Sequence, residues 1–232
     1  NKELYKKFFL TVEEIQAIRE GYIYIHDMSA RRDTMNCCLF DVKNVLSGGF
    51  EMGNLWYNEP KTLDTAFDVI GDIVLSAASQ QYGGFTVPSV DEILEPYAEK
   101  SHKKLIEKYR ALGLDEEVVQ KIAWSDLEKE MEQGFQGWEY KFNSVSSSRG
   151  DYPFITVTAG TRTSIYGKLA TIKMLEVRKN GQGKEGHKKP VLFPKIVFLY
   201  DENLHGPGKP LEDVFEAGIE CSRKTMYPDW LS

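Results

Sequence analysis

Short runs of β-branched and aromatic residues alternate along the chain with much longer segments whose apolar residues recur at helical spacing. Strands are predicted over residues 22–26, 153–158 and, interrupted by a proline, 190–200. Helices are predicted over 62–78 and 165–179, where apolar side chains fall every three to four positions. Strands that alternate with helices typically form a sheet covered by those helices. The alternation therefore predicts an α/β fold.

Two capping-box patterns mark predicted helix starts. Thr11 with Glu14, and Ser89 with Glu92, place a hydroxyl and a carboxylate three residues apart, where each can accept from an unpaired backbone N–H. The second box predicts a long helix that ends before Gly113, and a further helix is predicted over about 115–139.

Size and charge exclude several classes of protein. A chain of 232 residues, 41% hydrophobic and 28% charged, can bury a core and is not expected to be disordered. Its formal net charge of -6 repels a nucleic-acid backbone, so DNA or RNA polymers are not expected partners. No apolar run approaches the ~18 residues of a membrane span, so no membrane association is expected.

The three cysteines are Cys37, Cys38 and Cys221, an odd and sparse set that argues against a disulfide framework. On an extended chain, adjacent cysteines point to opposite faces, so one of the first two can face a pocket while the other packs as a small apolar residue. The same geometry disfavours a shared zinc site with His26, and no metal is expected. Cys221 lies between a predicted helix and a proline-bounded turn, beside two cations. It is either a buried structural thiol or a reactive one.

Several segments together resemble one enzyme family, the anaerobic (class III) ribonucleoside-triphosphate reductases, which are glycyl radical enzymes. The order and separation of the segments carry the resemblance more than any single one does. They are Tyr24-Ile-His-Asp27, Asn36-Cys-Cys-Leu39, Gly49-Phe-Glu-Met-Gly-Asn54, Pro60-Lys61, Gln81-Tyr-Gly-Gly84, Leu94-Glu-Pro96, Pro153-Phe-Ile-Thr156, Phe193-Pro-Lys195 and the stretch from Cys221 to Asp229.

The resemblance implies a fold. Members of this family have a ten-stranded α/β barrel of the glycyl radical enzyme type, with additional helices for effector binding and dimerisation. Residues 1–232 would then form the first half-barrel, with the helical effector region at about 60–140 and a finger loop that carries Cys221. The C-terminal glycyl radical region would be absent from these residues, so the chain is expected to be a fragment that is inactive alone.

The resemblance also implies site residues and cofactors. Cys221 matches the finger-loop cysteine that becomes a thiyl radical, and Cys37 matches the strand cysteine that supplies a hydrogen atom. Lys61 and Lys104 match lysines that bind effector phosphates. The implied cofactors are a glycyl radical outside this chain, a nucleotide effector (a dNTP or ATP), and either formate or a thioredoxin-like dithiol as reductant.

The implied partners are a ribonucleoside triphosphate substrate, a radical-SAM iron–sulfur activating enzyme and a second copy in a homodimer, in the cytoplasm. Two alternatives remain open: another glycyl radical enzyme, such as a lyase or dehydratase, and a nucleotide-binding regulatory or dimerisation module. The reductase hypothesis predicts that the sulfurs of Cys37 and Cys221 face each other across a cavity that fits a ribose.

Overall fold

The computed structural model describes residues 2–25, 28, 35–81, 83–146 and 152–232. Within these residues the helices are α1 (Lys2–Phe9), α2 (Val12–Glu20), α3 (Val42–Leu46), α4 (Leu63–Ala78), α5 (Val90–Arg110), α6 (Glu116–Ser144), α7 (Ile165–Asn180) and α8 (Glu212–Thr225). The strands are β1 (Cys38–Leu39), β2 (Phe50–Met52), β3 (Leu55–Tyr57), β4 (Phe85–Val87), β5 (Ile155–Ala159), β6 (Lys195–Leu199) and β7 (Asp229–Leu231). This composition confirms the predicted α/β class. None of the described helices is both long and apolar enough to cross a membrane.

Five strands form one parallel sheet in the order β1-β4-β5-β6-β7, while β2 and β3 pair separately as an antiparallel hairpin. The order across the sheet follows the order along the chain, and every crossover contains at least one helix. Because such crossovers are right-handed, they place their helices on the same side of the sheet, here called the helix face. The opposite side, the open face, carries Leu39, Thr86, Thr156 and Lys195 in one register row.

Alternation along β5 shows how the two faces differ. Ile155, Val157 and Ala159 are at most 1% exposed and belong to the main hydrophobic core under the helices. Thr156 and Thr158, which alternate with them, stay partly exposed on the open face. The sheet therefore buries its apolar side chains on one face and presents polar ones on the other.

Helices α4, α5 and α6 pack against one another in the predicted helical region. The indole of Trp138 on α6 donates from Nε1 to the carbonyl of Phe67 on α4 at 2.8 Å, inside the core. Gly113, with a φ of 72°, allows the tight turn between α5 and α6. The prediction of a helix over 62–78 is confirmed, and the one predicted to end near residue 139 continues to Ser144.

One capping box forms and the other does not. The amide of Glu14 donates to the Thr11 hydroxyl at 3.2 Å, and the Thr11 amide donates to the Glu14 carboxylate at 2.8 Å, as predicted. The predicted box at Ser89 is wrong, because Ser89 has a φ of 50° and its hydroxyl caps nothing. Its amide instead donates to Thr158 Oγ1 on β5 at 2.8 Å, so the sheet fixes this turn.

The predicted strand over residues 22–26 is also wrong for its described part. Residues 22–25 belong to no strand, and Tyr22 and Tyr24 are 81% and 83% exposed. His26 lies outside the described residues. Alternating apolar residues form a strand only where a neighbouring strand supplies hydrogen bonds, and residues 22–25 pair with no described strand.

Candidate active site

The two adjacent cysteines face opposite sides of the sheet, as predicted. Cys38 begins β1 and packs against the core, where its Sγ donates to Gln81 Oε1 at 3.0 Å. Burial raises the pKa of the Cys38 thiol, and the Gln81 hydrogen bond offsets this only in part. Cys37 precedes β1 and is exposed. Since it stands two residues before Leu39, it opens onto the open face.

A pair of glycines clamps the segment that carries Cys37. The Gly83 amide donates to the Asn36 carbonyl at 2.6 Å, and the Gly84 amide donates to Cys37 Sγ at 3.2 Å. A Cβ at Gly83 would lie 2.3 Å from Asn36 Oδ1 and 2.8 Å from Cys37 Sγ, so only glycine fits. Two of the segments quoted above, Asn36–Leu39 and Gln81–Gly84, thus form one unit.

The finger-loop role that the resemblance implies for Cys221 stays a prediction, and in this chain the residue lies on a helix rather than on a loop. Cys221 lies within helix α8, is 0% exposed and belongs to the main core. Its Sγ lies 3.5 Å from the hydroxyl of Thr225 one turn further along the helix. Burial raises the pKa of the Cys221 thiol, which disfavours the thiolate.

The structure does not bring Cys221 and Cys37 together within this chain. Cys37 adjoins β1 at one edge of the sheet, whereas α8 connects β6 to β7 at the other edge. The two edge strands are four strand spacings apart, about 19 Å. Cys221 also lies in the core under the helices, while Cys37 opens onto the opposite face. The catalytic pairing of the two thiols stays a prediction, and the geometry predicted for it is not found here.

A buried ion pair lies close to Cys221, and sequence reasoning missed it. Arg178 on α7 is 0% exposed and donates from Nε to Glu139 on α6 at 2.7 Å and from its terminal nitrogen to the Pro194 carbonyl at 2.6 Å. Its guanidinium also lies over the ring of Tyr227, 5.3 Å from the centroid. In the sequence, Arg178 looks like an ordinary cation in the last turn of a helix. The pair joins two helices to the segment before β6.

Lys61 and Lys104 lie near the same helix end. Lys61 directly precedes Thr62, the N-cap of α4, and Lys104 is exposed on α5. The pKa of Asp64, in the first turn of α4, is lowered mainly by the hydrogen bond from the Thr62 hydroxyl and further by the charge of Lys104. The structure thus places both predicted lysines around the start of α4.

The first amides of α4 already have protein partners. The Leu63 amide donates to Ser101 Oγ at 2.8 Å, and the Asp64 amide donates to Glu130 Oε1 at 2.9 Å. An anion at this helix end would therefore contact the lysine side chains rather than the free amides of a helix N-terminus.

Comparison with known proteins identifies the family. The family model for anaerobic ribonucleoside-triphosphate reductase matches residues 1–232, the whole chain. The chain belongs to this reductase family. The anaerobic ribonucleoside-triphosphate reductase of Enterobacteria phage T4 is 35% identical over 222 residues, which cover 94% of this chain and 36% of that protein. The Haemophilus influenzae reductase is 36% identical over 234 residues, covering 100% of this chain and 32% of that protein. The chain thus spans about a third of the length of these reductases.

Solved reductase structures share the fold. The anaerobic ribonucleotide reductase of Thermotoga maritima in complex with dATP and CTP superposes with a TM-score of 0.65 at 16% identity, covering 99% of this chain and 38% of that one. The same reductase with glycerol in its active site gives a TM-score of 0.68 at 18% identity, with the same coverage. This similarity confirms the predicted fold class: the chain has the fold of part of a reductase of the glycyl radical enzyme type.

Proposed function

We propose that this chain is the first half-barrel of an enzyme that reduces ribonucleoside triphosphates to deoxyribonucleoside triphosphates under anaerobic conditions. The observation that carries the proposal is the placement of Cys37, an exposed thiol on the open face, held by the Gly84 amide. The parallel order of the five strands supports the half-barrel assignment for residues 1–232, since strands in chain order curl in one direction.

The chemistry of the site follows from the thiol. A glycyl radical, when present in the whole enzyme, supplies the unpaired electron that starts hydrogen abstraction from the ribose. Cys37 then gives the hydrogen atom of its S–H bond to the sugar carbon that has lost its hydroxyl as water, which leaves the unpaired electron on the Cys37 sulfur. The external reductant, formate or a dithiol, restores the S–H bond by giving a hydrogen atom to this sulfur. The Gly84 amide, which donates to Cys37 Sγ at 3.2 Å, holds the sulfur in position on the open face.

The placement of Cys221 supports a structural role rather than the predicted radical role. A fully buried thiol on a helix, at the far edge of the sheet from Cys37, has no contact with a substrate on the open face. We therefore propose that the thiol that abstracts hydrogen lies outside residues 1–232, in the larger part of the reductase length that this chain does not span.

The experiment is anaerobic reduction of ribonucleoside triphosphates by the full-length protein with its activating enzyme. Cys37→Ala should abolish the deoxynucleotide product. Cys38→Ala is the matched control, because it removes the neighbouring thiol from the helix face and should retain turnover. Cys221→Ala should also retain turnover, whereas the radical role predicted from the sequence requires its loss.

Binding of a nucleotide effector to each variant shows that it is folded. Normal turnover by a folded Cys37→Ala protein would refute the proposed site. Loss of turnover in folded Cys221→Ala would restore the pairing predicted from the sequence.

We also propose that Lys61 and Lys104 bind the phosphates of a dNTP or ATP effector. Their shared position at the start of α4 supports this proposal, and lysine ammonium groups are suitable point charges for phosphate. Lys61→Ala and Lys104→Ala should each weaken effector binding about tenfold, or 1.4 kcal/mol. Lys103→Ala is the control, since Lys103 pairs with Glu99 on the same helix. Equal weakening by all three substitutions would contradict a specific site.

The remaining partners follow from the reductase proposal. We propose a radical-SAM iron–sulfur activating enzyme, a homodimer and a cytoplasmic location, where the nucleotide substrates are found. The reductant is either formate or a thioredoxin-like dithiol, and Cys38 is not a second thiol of the site because it faces the core. Turnover with formate alone, or only with a dithiol protein, distinguishes the two reductants.

A further inference from the structure

Lys195 is a cation on the same face as Cys37. It begins β6 in register with Thr156, which in turn is in register with Thr86 and Leu39 across the sheet. Its Nζ lies 4.7 Å from the centroid of the Phe154 ring. Within the described part of the chain it forms no salt bridge, although it is partly buried. An ammonium group over an aromatic face keeps most of its N–H donors free.

The Phe154 ring connects this cation to the thiol. A Cβ placed on Gly84 would lie 3.5 Å from Phe154 Cδ1 and 3.9 Å from Cys37 Sγ. The Phe154 ring and the Cys37 sulfur therefore both lie next to Gly84. Phe154 is 47% exposed and is held at its edge by Phe193, with ring centroids 5.3 Å apart. Cys37, Phe154 and Lys195 therefore follow one another across the open face.

The spacing suits a nucleotide rather than a smaller ligand. One strand, β4, separates the backbone at Cys37 from the backbone at Phe154, which makes two strand spacings, about 10 Å. A sugar that contacts the thiol would reach the ammonium with its first phosphates. The hydroxyls of Thr86 and Thr156, on the same face between them, are neutral donors for the same oxygens.

We propose that Lys195 is a specificity-determining residue that binds a phosphate of the ribonucleotide substrate, with the sugar between Cys37 and Phe154. This inference rests on the proposed reductase function and adds to it the residue that recognises the phosphate end. Lysine suits this task because its charge is compact and its donors rotate to meet phosphate oxygens. The exposed half of the Phe154 ring offers an apolar surface to the sugar.

The test is equilibrium binding to the full-length protein before radical activation, so that it does not depend on turnover. The probes are CTP and cytidine, with the effector site saturated by dATP. Lys195→Ala should raise the dissociation constant of CTP about tenfold, the effect of about 1.4 kcal/mol, and leave that of cytidine unchanged. Lys195→Arg should restore most of the CTP affinity because it keeps the charge. Lys189→Ala, which removes an exposed lysine of the preceding loop, should bind CTP as the wild type does.

The outcomes separate the two proposals. If wild-type protein reduces CTP but Lys195→Ala binds it with unchanged affinity, the role of Lys195 is refuted and the reductase proposal stands. If Lys195→Ala weakens the binding of CTP and of cytidine equally, the cation does not recognise phosphate and the inference is refuted. If the wild-type protein neither binds nor reduces any ribonucleoside triphosphate, both proposals fail.

Discussion

Gly134 and Gly137 lie three residues apart on helix α6 in opposite surroundings, which makes their alanine variants a direct test of the helix packing. A Cβ on Gly134 would lie 2.2 Å from two ring carbons of Phe67 and 2.5 Å from a third. A Cβ on Gly137 would meet no atom within 4 Å. The same substitution on the same helix therefore probes a tight contact with α4 and an open position.

The magnitude follows from how firmly the Phe67 ring is held. Phe67 is 3% exposed and packs edge-on against Phe135 and Trp138, with centroids 5.0 and 4.9 Å away, so it cannot rotate clear of a new methyl group. Overpacking of this kind costs about 1–3 kcal/mol. Replacing glycine with alanine in a helix returns up to about 1 kcal/mol. Because a Cβ on Gly134 would come as close as 2.2 Å to the Phe67 ring, we take the upper end of the overpacking cost and expect Gly134→Ala to lower the free energy of unfolding by about 2 kcal/mol. Gly137→Ala should raise it by about 0.5–1 kcal/mol.

Urea denaturation followed by tryptophan fluorescence measures both variants, and Trp138 lies in the contact itself. The expected separation of about 3 kcal/mol between the two variants exceeds the usual extrapolation error. If Gly134→Ala proved as stable as Gly137→Ala, the close approach of α4 and α6 at Phe67 would be refuted, together with the helix arrangement around the two lysines proposed to bind the effector.

Two further predictions concern thiol access and pH. Iodoacetamide should modify Cys37 first, Cys38 more slowly and Cys221 only after unfolding, because burial raises the pKa of the Cys38 and Cys221 thiols. Mass spectrometry measures the labelling of each cysteine. Labelling of Cys221 as fast as that of Cys37 would contradict its position in the core. His102 is 8% exposed, its Nδ1 lies 3.1 Å from the Tyr166 hydroxyl, and burial lowers its pKa. The unfolded chain therefore takes up this proton at a higher pH than the folded one, and the free energy of unfolding should fall as the pH drops below about 6.5. Denaturation at pH 7.5 and 5.5 should show a smaller loss for His102→Phe, and an equal loss in both proteins would contradict the prediction.

Periodicity predicted the helices well, because an apolar stripe is a property of the segment itself. Helices α4 and α7 match the segments predicted at 62–78 and 165–179 closely. The strand expected at residues 22–26 and the cap expected at Ser89 depend instead on neighbours that the sequence does not show. A strand needs a partner, and Ser89 takes its conformation from Thr158 on another strand.

The candidate site divides in the same way. The opposite orientation of Cys37 and Cys38 follows from two-residue alternation, which is local, and it was predicted correctly. The position of Cys221 depends on where α8 ends. The sequence predicts a helix that gives way to a proline-bounded turn near this residue, and the helix continues to Thr225 and ends at Met226, which has a φ of 62°. Whether a thiol near a helix end is buried is decided by what packs on it, and no local pattern contains that information.

The open face owes its geometry to residues that a substrate would not touch. Ile155 and Val157 bury their side chains under the helices, and this fixes the alternation by which Thr156 points the other way. Register pairing then carries the alternation across the sheet to Lys195. A shift of β5 by one residue would expose its apolar side chains to water, so the burial of these side chains in the core stabilises the observed register. The spacing between Cys37 and Lys195 is therefore maintained by the packing of the helix face, and core substitutions in β5 should alter the affinity for the proposed ribonucleotide even though they lie on the other side of the sheet.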